Sequence, residues 1–376
     1  VTTMFFYGTL CHLPLLELVL AGEHYCTRPA MLPGHRVSWV KDQPFPTIEP
    51  DPSASAIGLL VEELGDTARA RLDFYEGGFD YALKKVAVHP DGTAAPVTAQ
   101  VYFPAPGLWT PGGPWSLDDW IAQWGEMTLE AAGEVMSYFG KISAQVVAER
   151  FPMIRTRAAS RVRARASTTP TTVRADFGAG DIDVHASARP YAQFFTMEEQ
   201  DLSFRRYSGE MSEVVNRAAF VGGDAVIVLP YDPIRDRVML VEQFRMGPHI
   251  RGDPLPWTLE PIAGRIDAGE TPESSARREA HEEAGLALDR LIALPHHYPS
   301  PGSNTEYFYT YIALCDLPDT AAGIGGAADE VEDIRSHVIP FARLMELVNS
   351  GEAACGPLVL CALWLALNRD GFRAGS

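Results

Sequence analysis

Short apolar runs broken by Gly and Pro dominate the first third of the chain. Residues 4–7 form one such run, ending at Gly8. Residues 56–62, 85–88 and 98–103 form others, so residues 1–118 read as strands and turns. The pattern changes after Pro114. Ser116 with Asp118 and Asp119 reads as a helix start, and no proline follows before Arg150, which predicts one or two helices.

Arg155, Arg157, Arg161, Arg163, Arg165 and Arg174 come next with no acid between them, and Pro170 breaks any helix. An anion or RNA patch is one reading. A solvated basic linker over residues 151–185 is the other, and it is favoured. Strand signals return from Tyr191. Residues 225–229 and 238–241 flank Tyr231-Asp232-Pro233 and predict a hairpin. Residues 272–283, 341–348 and 358–368 read as helices. The division expected is 1–118, a helical segment and linker at 119–185, and 186–376.

A length of 376 residues suits two domains. A net charge of −18 opposes nucleic acid as a partner, since backbone binding needs a basic surface. Five cysteines at wide spacing with no C-x-x-C argue against a disulfide scaffold or zinc site; they read as small buried side chains in a reducing cytoplasm. Residues 1–10 lack the basic and apolar regions of a signal peptide, and the longest apolar run, 357–367, is too short for a bilayer.

The chemistry concentrates in Gly264-Arg265-Ile266-Asp267-Ala268-Gly269-Glu270, seven further residues, and Arg278-Glu279-Ala280-His281-Glu282-Glu283-Ala284-Gly285-Leu286. Thr271 is a good N-cap, Pro272 suits the first helical position, and Gly285 suits a left-handed helix end. Glu279 and Glu283 share one helix face with Glu282 beside them. Their repulsion costs a few tenths of a kcal/mol per pair, roughly, on a solvated face and is relieved by a divalent cation.

These residues resemble the Nudix box at every fixed position, and a chance match is on the order of one in a million. The resemblance makes Glu279 and Glu283 metal ligands supported by Glu282, turns the Ala263 carbonyl toward a metal, and gives Glu270 and Arg278 a structural role. The implied cofactor is Mg²⁺, two or three ions, with Mn²⁺ as a substitute.

Around the box, Gly209-Glu210-Met211-Ser212, Val241-Glu242-Gln243-Phe244-Arg245, Ser300-Pro301-Gly302 and Ala328-Asp329-Glu330-Val331-Glu332-Asp333-Ile334 resemble bacterial ADP-ribose pyrophosphatases from about residue 194 onward. That resemblance implies Glu330 as general base and Glu332 as a further metal contact. It places Arg217 and Arg245 on substrate phosphate or adenine, and Ser300 and Glu306 beside the ribose. Gly222 stands where the family has an Arg. It also implies a homodimer with exchanged N-terminal strands, for which Phe194 and Phe195 read equally as an adenine stack or as core.

Tyr7-Gly8-Thr9-Leu10 and Leu72-Asp73-Phe74-Tyr75-Glu76-Gly77, with Tyr81, resemble the γ-glutamylcyclotransferase-like (AIG2-like) fold over residues 4–118. The resemblance implies that Tyr7, Gly8, Thr9 and Leu10 form the loop holding a glutamyl carboxylate and that Glu76 is the acid/base. A structural carboxylate in an inactive homologue is the alternative. The expected fold class is α+β/mixed, a small mixed β-barrel followed by a Nudix α/β/α sandwich. The expected function is Mg²⁺-dependent hydrolysis of ADP-ribose to AMP and ribose 5-phosphate. A Nudix hydrolase of a nucleotide sugar or NADH, and a non-catalytic ADP-ribose sensor, are the competing readings. A sensor usually loses box glutamates, and here all three are kept.

Overall fold

The computed structural model describes residues 1–78, 81–326 and 332–374. It divides into two compact units, Val1–Ser167 and Thr168–Ser376.

In the first unit, β1 (Thr2–Phe6) lies between β3 (Pro46–Leu64) and β5 (Val97–Pro104). β4 (Tyr81–Pro90) and β2 (Cys26–Val40) follow in the sheet, and β2 pairs back onto β3 to close a five-stranded barrel. The barrel is mixed, because β1 runs parallel to β5 while its other pairs are antiparallel. The β2–β3 register shifts between Pro33 and His35, where Gly34 takes a left-handed φ of 73°, and this lets the long hairpin bend. Phe5, Leu32, Leu60, Val88 and Val101 fill the interior. β6 (Pro111–Pro114) flanks β2.

Two helices lie where the sequence reads as strands and turns. α1 (Leu13–Leu20) buries Leu15, Leu16, Val19 and Leu20. Its run is so uniformly apolar that no period stands out. α2 (Asp66–Glu76) buries only Ala68 and Leu72, too few to mark a stripe. The helix expected at Ser116 is present: the Ser116 hydroxyl accepts from the Asp119 N–H at 3.2 Å, and α3 (Leu117–Trp120) runs through a π-turn into α4 (Glu126–Met136).

The basic linker is not where the composition placed it. Residues Ala144–Ala166 form one helix, α5, within the first unit, so only residues 168–181 separate it from the next strand. Three of its arginines pair with glutamates of α4. Arg157, 1% exposed, contacts buried Glu134 at 2.5 Å, Arg161 reaches Glu134 at 3.6 Å, and Arg165 reaches Glu130 at 2.5 Å. The cysteine expectation also needs correction. Cys315 and Cys361 are buried, but Cys26 is exposed beside His24 and Glu63.

The second unit starts with a three-stranded antiparallel sheet of β7 (Ile182–Ala192), β8 (Thr196–Phe204) and β9 (Val215–Val221). Next come β10 (Ala225–Asp232) and β11 (Arg237–Phe244), the predicted hairpin. Asp232 closes it by accepting from the N–H groups of Ile234 and Arg235, each at 2.9 Å. The elements that follow are α6 (Met246–Arg251), β12 (Trp257–Glu260), β13 (Ile262–Arg265), α7 (Pro272–Ala284), β14 (Arg290–Ala293), β15 (Phe308–Leu314), β16 (Ile324–Gly325), β17 (Ile334–Pro340), α8 (Phe341–Ser350) and α9 (Gly356–Ala374). The sheet order is β14-β15-β10-β11-β17-β16, with β13 on β10 and β12 on β11. Alternation on β10 divides the core: Val226 and Val228 face α7, and Ile227 and Leu229 face α8 and α9. The α/β/α sandwich follows from that alternation. Among the described residues no helix is long and apolar enough to cross a membrane.

Candidate active sites

In the second unit, β13 and α7 carry the conspicuous residues. The Thr271 hydroxyl accepts from the Ser274 N–H at 3.1 Å, Pro272 opens the helix, and Gly285 ends it at φ 62°. Arg278 then gathers the loop. Its guanidinium donates to both Glu270 carboxylate oxygens at 2.9 Å, to Glu279 at 2.7 Å, to Glu282 at 3.0 Å and to the Arg265 carbonyl at 3.0 Å. Burial alone would raise Glu270, but Arg278, Ser275 and the Asp267 N–H outweigh it and hold the carboxyl at about 2. Glu270 and Arg278 thus brace the loop, as the box resemblance implies.

The other carboxylates face the opposite problem. Glu279 is pushed up to about 7, first by burial and then by Glu282 and Glu332, with Arg278 opposing. Glu283, 2% exposed, is pushed up to about 9 by burial and by Glu279 and Glu332, with Arg245 and the Ala263 N–H opposing. Gly264 makes the crowding possible, since a Cβ there would lie 1.9 Å from the Glu279 carboxylate. Glu283 Oε2 is buried with no hydrogen-bond partner among the described residues. An orphaned buried oxygen within an all-oxygen, mutually repelling donor set fits a hard divalent cation. Glu279, Glu283, Glu332 and Ala263 are the residues that would hold one, with Glu282 at the edge.

The structure brings other predicted residues into two further groups. Arg245 lies within electrostatic reach of Glu283 and makes a bidentate pair with Glu260 at 2.9 and 2.8 Å. Ser300 sits 3.2 Å from the Ser303 hydroxyl, and the chain at 303–305 bonds to Phe220 at the end of β9. Glu306 accepts from Asn304 Nδ2 at 2.8 Å and packs on Gly222, where a Cβ would come within 2.7 Å of it. The glycine in place of the family arginine therefore makes room for Glu306. Arg217 is exposed on β9, and among the described residues no hydrogen bond or ion pair links it to the carboxylates. Glu330 lies outside the described residues. Phe194 is 57% exposed and Phe195 half-buried, so neither is core. Both rings take the Arg265 guanidinium, at 5.1 and 5.0 Å.

In the first unit, Tyr7, Gly8, Thr9, Leu10 and Glu76 all line one cavity of about 990 Å³, counting its open mouth. Glu76 closes α2, and burial pushes its carboxyl up to about 7. Among the described residues it has no ion-pair partner. The N–H groups of Gly8, Thr9 and Leu10 likewise have no main-chain acceptor there. Sequence reasoning missed the far wall, made by Val147, Ala148 and Phe151 of α5. The only sequence signal for it was the small-residue spacing Ala144-x-x-x-Ala148, too common to interpret alone.

A helix carrying three crowded carboxylates, braced by an Arg–Glu clamp on an α/β/α sandwich, defines the Nudix class. The NUDIX domain model matches residues 222–354, and the model described as gamma-glutamyl cyclotransferase, AIG2-like, matches residues 4–121. The chain is 36% identical over 204 residues to the ADP-ribose pyrophosphatase of Escherichia coli strain K12, an alignment spanning 54% of this chain and 97% of that protein. It is 36% identical to the ADP-ribose pyrophosphatase of Haemophilus influenzae, over 51% of this chain and 89% of that one. It is 30% identical to the GDP-mannose pyrophosphatase of Enterobacter sp. strain 638, over 46% and 90%. The chain belongs to the Nudix hydrolases, as a relative of the bacterial ADP-ribose pyrophosphatases that also carries an AIG2-like domain. It is an enzyme that hydrolyses nucleoside diphosphate compounds, and its family uses divalent metal ions.

Proposed function

We propose that the second unit hydrolyses ADP-ribose to AMP and ribose 5-phosphate. The observation that carries this is the 36% identity running over 97% of an ADP-ribose pyrophosphatase, well beyond the box itself. Two or three Mg²⁺ ions, with Mn²⁺ able to replace them, would neutralise the diphosphate and make a water acidic. The protein supplies the rest. Glu279, Glu283 and Glu332 hold charge at one point, and Arg278 keeps Glu279 and Glu282 from swinging out. Glu330 accepts the proton of the attacking water. Water adds to one phosphorus while the bridging oxygen leaves with the other. Arg217, Arg245, Ser300 and Glu306 orient substrate, and Phe194 with Phe195 offers a face for adenine.

The GDP-mannose pyrophosphatase relatives favour a second reading, a nucleotide sugar as substrate. Comparing kcat/KM for ADP-ribose, GDP-mannose and NADH with Mg²⁺ decides between them; the first reading fails if ADP-ribose is not the best of the three. We also infer a homodimer through this unit. The apolar side chains of Ile182, Val184, Tyr191 and Val214 are exposed around the three-stranded sheet, which suits a strand exchange. Sedimentation at micromolar concentration tests it, and a monomer would overturn it.

The first unit we read as a γ-glutamyl cyclotransferase, supported by a Glu76 whose carboxyl is pushed up to about 7 and that lines one cavity with a loop whose N–H groups have no main-chain acceptor among the described residues. The substrate's α-amine attacks its own γ-amide carbonyl. The amide C–N bond breaks, and Glu76 takes the proton from the attacking amine and passes it to the leaving amine. The products are 5-oxoproline and a free amine, with no water consumed. Release of 5-oxoproline from γ-glutamyl compounds is the test.

A further inference from the structure

The cavity of the first unit has a wall that the AIG2-like match does not include. That match ends at residue 121, whereas Val135 of α4 and Ala144, Val147, Ala148 and Phe151 of α5 line the cavity. This wall is built in, not incidental. Gly77 and Gly78 follow Glu76 directly, and α5 lies against them. A Cβ on Gly77 would come 3.0 Å from the Ala144 Cβ, and one on Gly78 would come 2.8 Å from the Ala148 Cβ. Ser143 caps α5 by accepting from the Val146 N–H at 3.4 Å. The buried Arg157–Glu134 pair fixes α5 on α4. The helix that shapes the cavity therefore also packs on the turn next to its carboxylate.

The wall added by Val135, Ala144, Val147, Ala148 and Phe151 is wholly apolar, while the hydroxyls of Thr9, Tyr7, Tyr75, Tyr81 and Tyr102 come from the part of the chain that the match covers. Aromatic rings from Phe45, Phe74 and Trp109 complete the walls. Among the described lining residues there is no Lys, Arg or His, and Glu76 is the one carboxylate. The loop N–H groups at Gly8, Thr9 and Leu10 suit a single anionic group. A second carboxylate, carried on the leaving amine, would meet the apolar side chains of α4 and α5 without a cationic partner, and among the described lining residues an ammonium would find no carboxylate but Glu76, which the reaction needs free to take a proton.

We propose that α4 and α5 form the leaving-amine subsite of this cavity, and that it takes γ-glutamyl amides whose amine carries an uncharged apolar alkyl or aryl group. This rests on the cyclotransferase reading of the same cavity. It adds the identity of the leaving amine, which places the unit after reactions that attach glutamate to apolar amines.

Calorimetric binding and 5-oxoproline release are measured on the full chain with γ-glutamyl-butylamide, γ-glutamyl-benzylamide, γ-glutamylglycine and γ-glutamyl-ε-lysine. The subsite predicts that the two apolar amides bind and turn over at least about 100-fold better than the charged pair. Phe151→Arg, which puts a cation on the wall, should shift that ratio at least about tenfold toward γ-glutamylglycine. Phe151→Ala, a milder change, should raise KM for the benzylamide with kcat held. Equal binding of charged and apolar compounds, or binding of none, overturns the subsite. Selective binding of the apolar pair without 5-oxoproline leaves the subsite standing and overturns the cyclotransferase reading instead.

Discussion

The two units use buried glutamates in opposite ways. Glu76 is the one carboxylate among the described residues lining its cavity, and burial is the one cause that lifts it to about 7. Glu279 is lifted to the same value, and Glu283 to about 9, with neighbouring carboxylates adding to burial. A solitary buried carboxyl near neutrality is suited to moving a proton. A crowded set with an orphaned oxygen is suited to holding a cation. A perturbed pKa alone thus does not name a role; the company the group keeps does.

The largest expected effect breaks the pair cleanly. Glu283→Gln should lower pyrophosphatase turnover by about 10³-fold or more, because it removes a charge the cation needs, while 5-oxoproline release stays within twofold. A chelator should reproduce that split. Assaying both activities on one preparation checks it.

Glu76→Gln should do the reverse, removing 5-oxoproline release and sparing ADP-ribose hydrolysis. With the wild type, 5-oxoproline release should rise as pH climbs through about 7, since Glu76 must lose its proton to accept another. Stability should move the other way. The native carboxyl keeps its proton between its ordinary value of 4.5 and about 7, so the first unit binds more protons folded than unfolded there. Its stability should therefore fall as pH rises across that window and level off above it. Melting curves of wild type and Glu76→Gln at pH 5 and 8 check this; equal pH slopes for the two would contradict it.

A smaller effect concerns the scaffolds. Glu134→Ala removes the carboxylate that pairs with buried Arg157 and should destabilise the first unit by about 3–5 kcal/mol. Arg278→Ala loosens the Glu270 clamp at a half-exposed position and should cost the second unit about 1–3 kcal/mol. Denaturant unfolding monitored separately by the two activities resolves which unit responds.

What the sequence reveals differs between the sites for the same physical reason. The box is local: cap, clamp and carboxylates lie within 23 consecutive positions, Gly264 to Leu286, so spacing alone places them. The first site is assembled from residues 7–10, 76 and 135–151, and no local period announces that union. The arginines of α5 show the limit well. Arg157, Arg161 and Arg165 recur every four residues, as do Glu126, Glu130 and Glu134, but only antiparallel packing of two helices turns a charged run into a ladder of pairs that runs from buried Arg157–Glu134 to exposed Arg165–Glu126. Glu306 on Gly222 is similar, a contact across 84 residues that looked like a lost arginine.

The central claim is that the crowded carboxylates serve a metal-dependent attack on ADP-ribose. Incubating the full chain with ADP-ribose in ¹⁸O water, with Mg²⁺ or with EDTA, tests it most directly. The account predicts AMP and ribose 5-phosphate with Mg²⁺ alone, and label on only one of the two phosphates. Intact ADP-ribose in the presence of Mg²⁺, or equal turnover with EDTA, would contradict it.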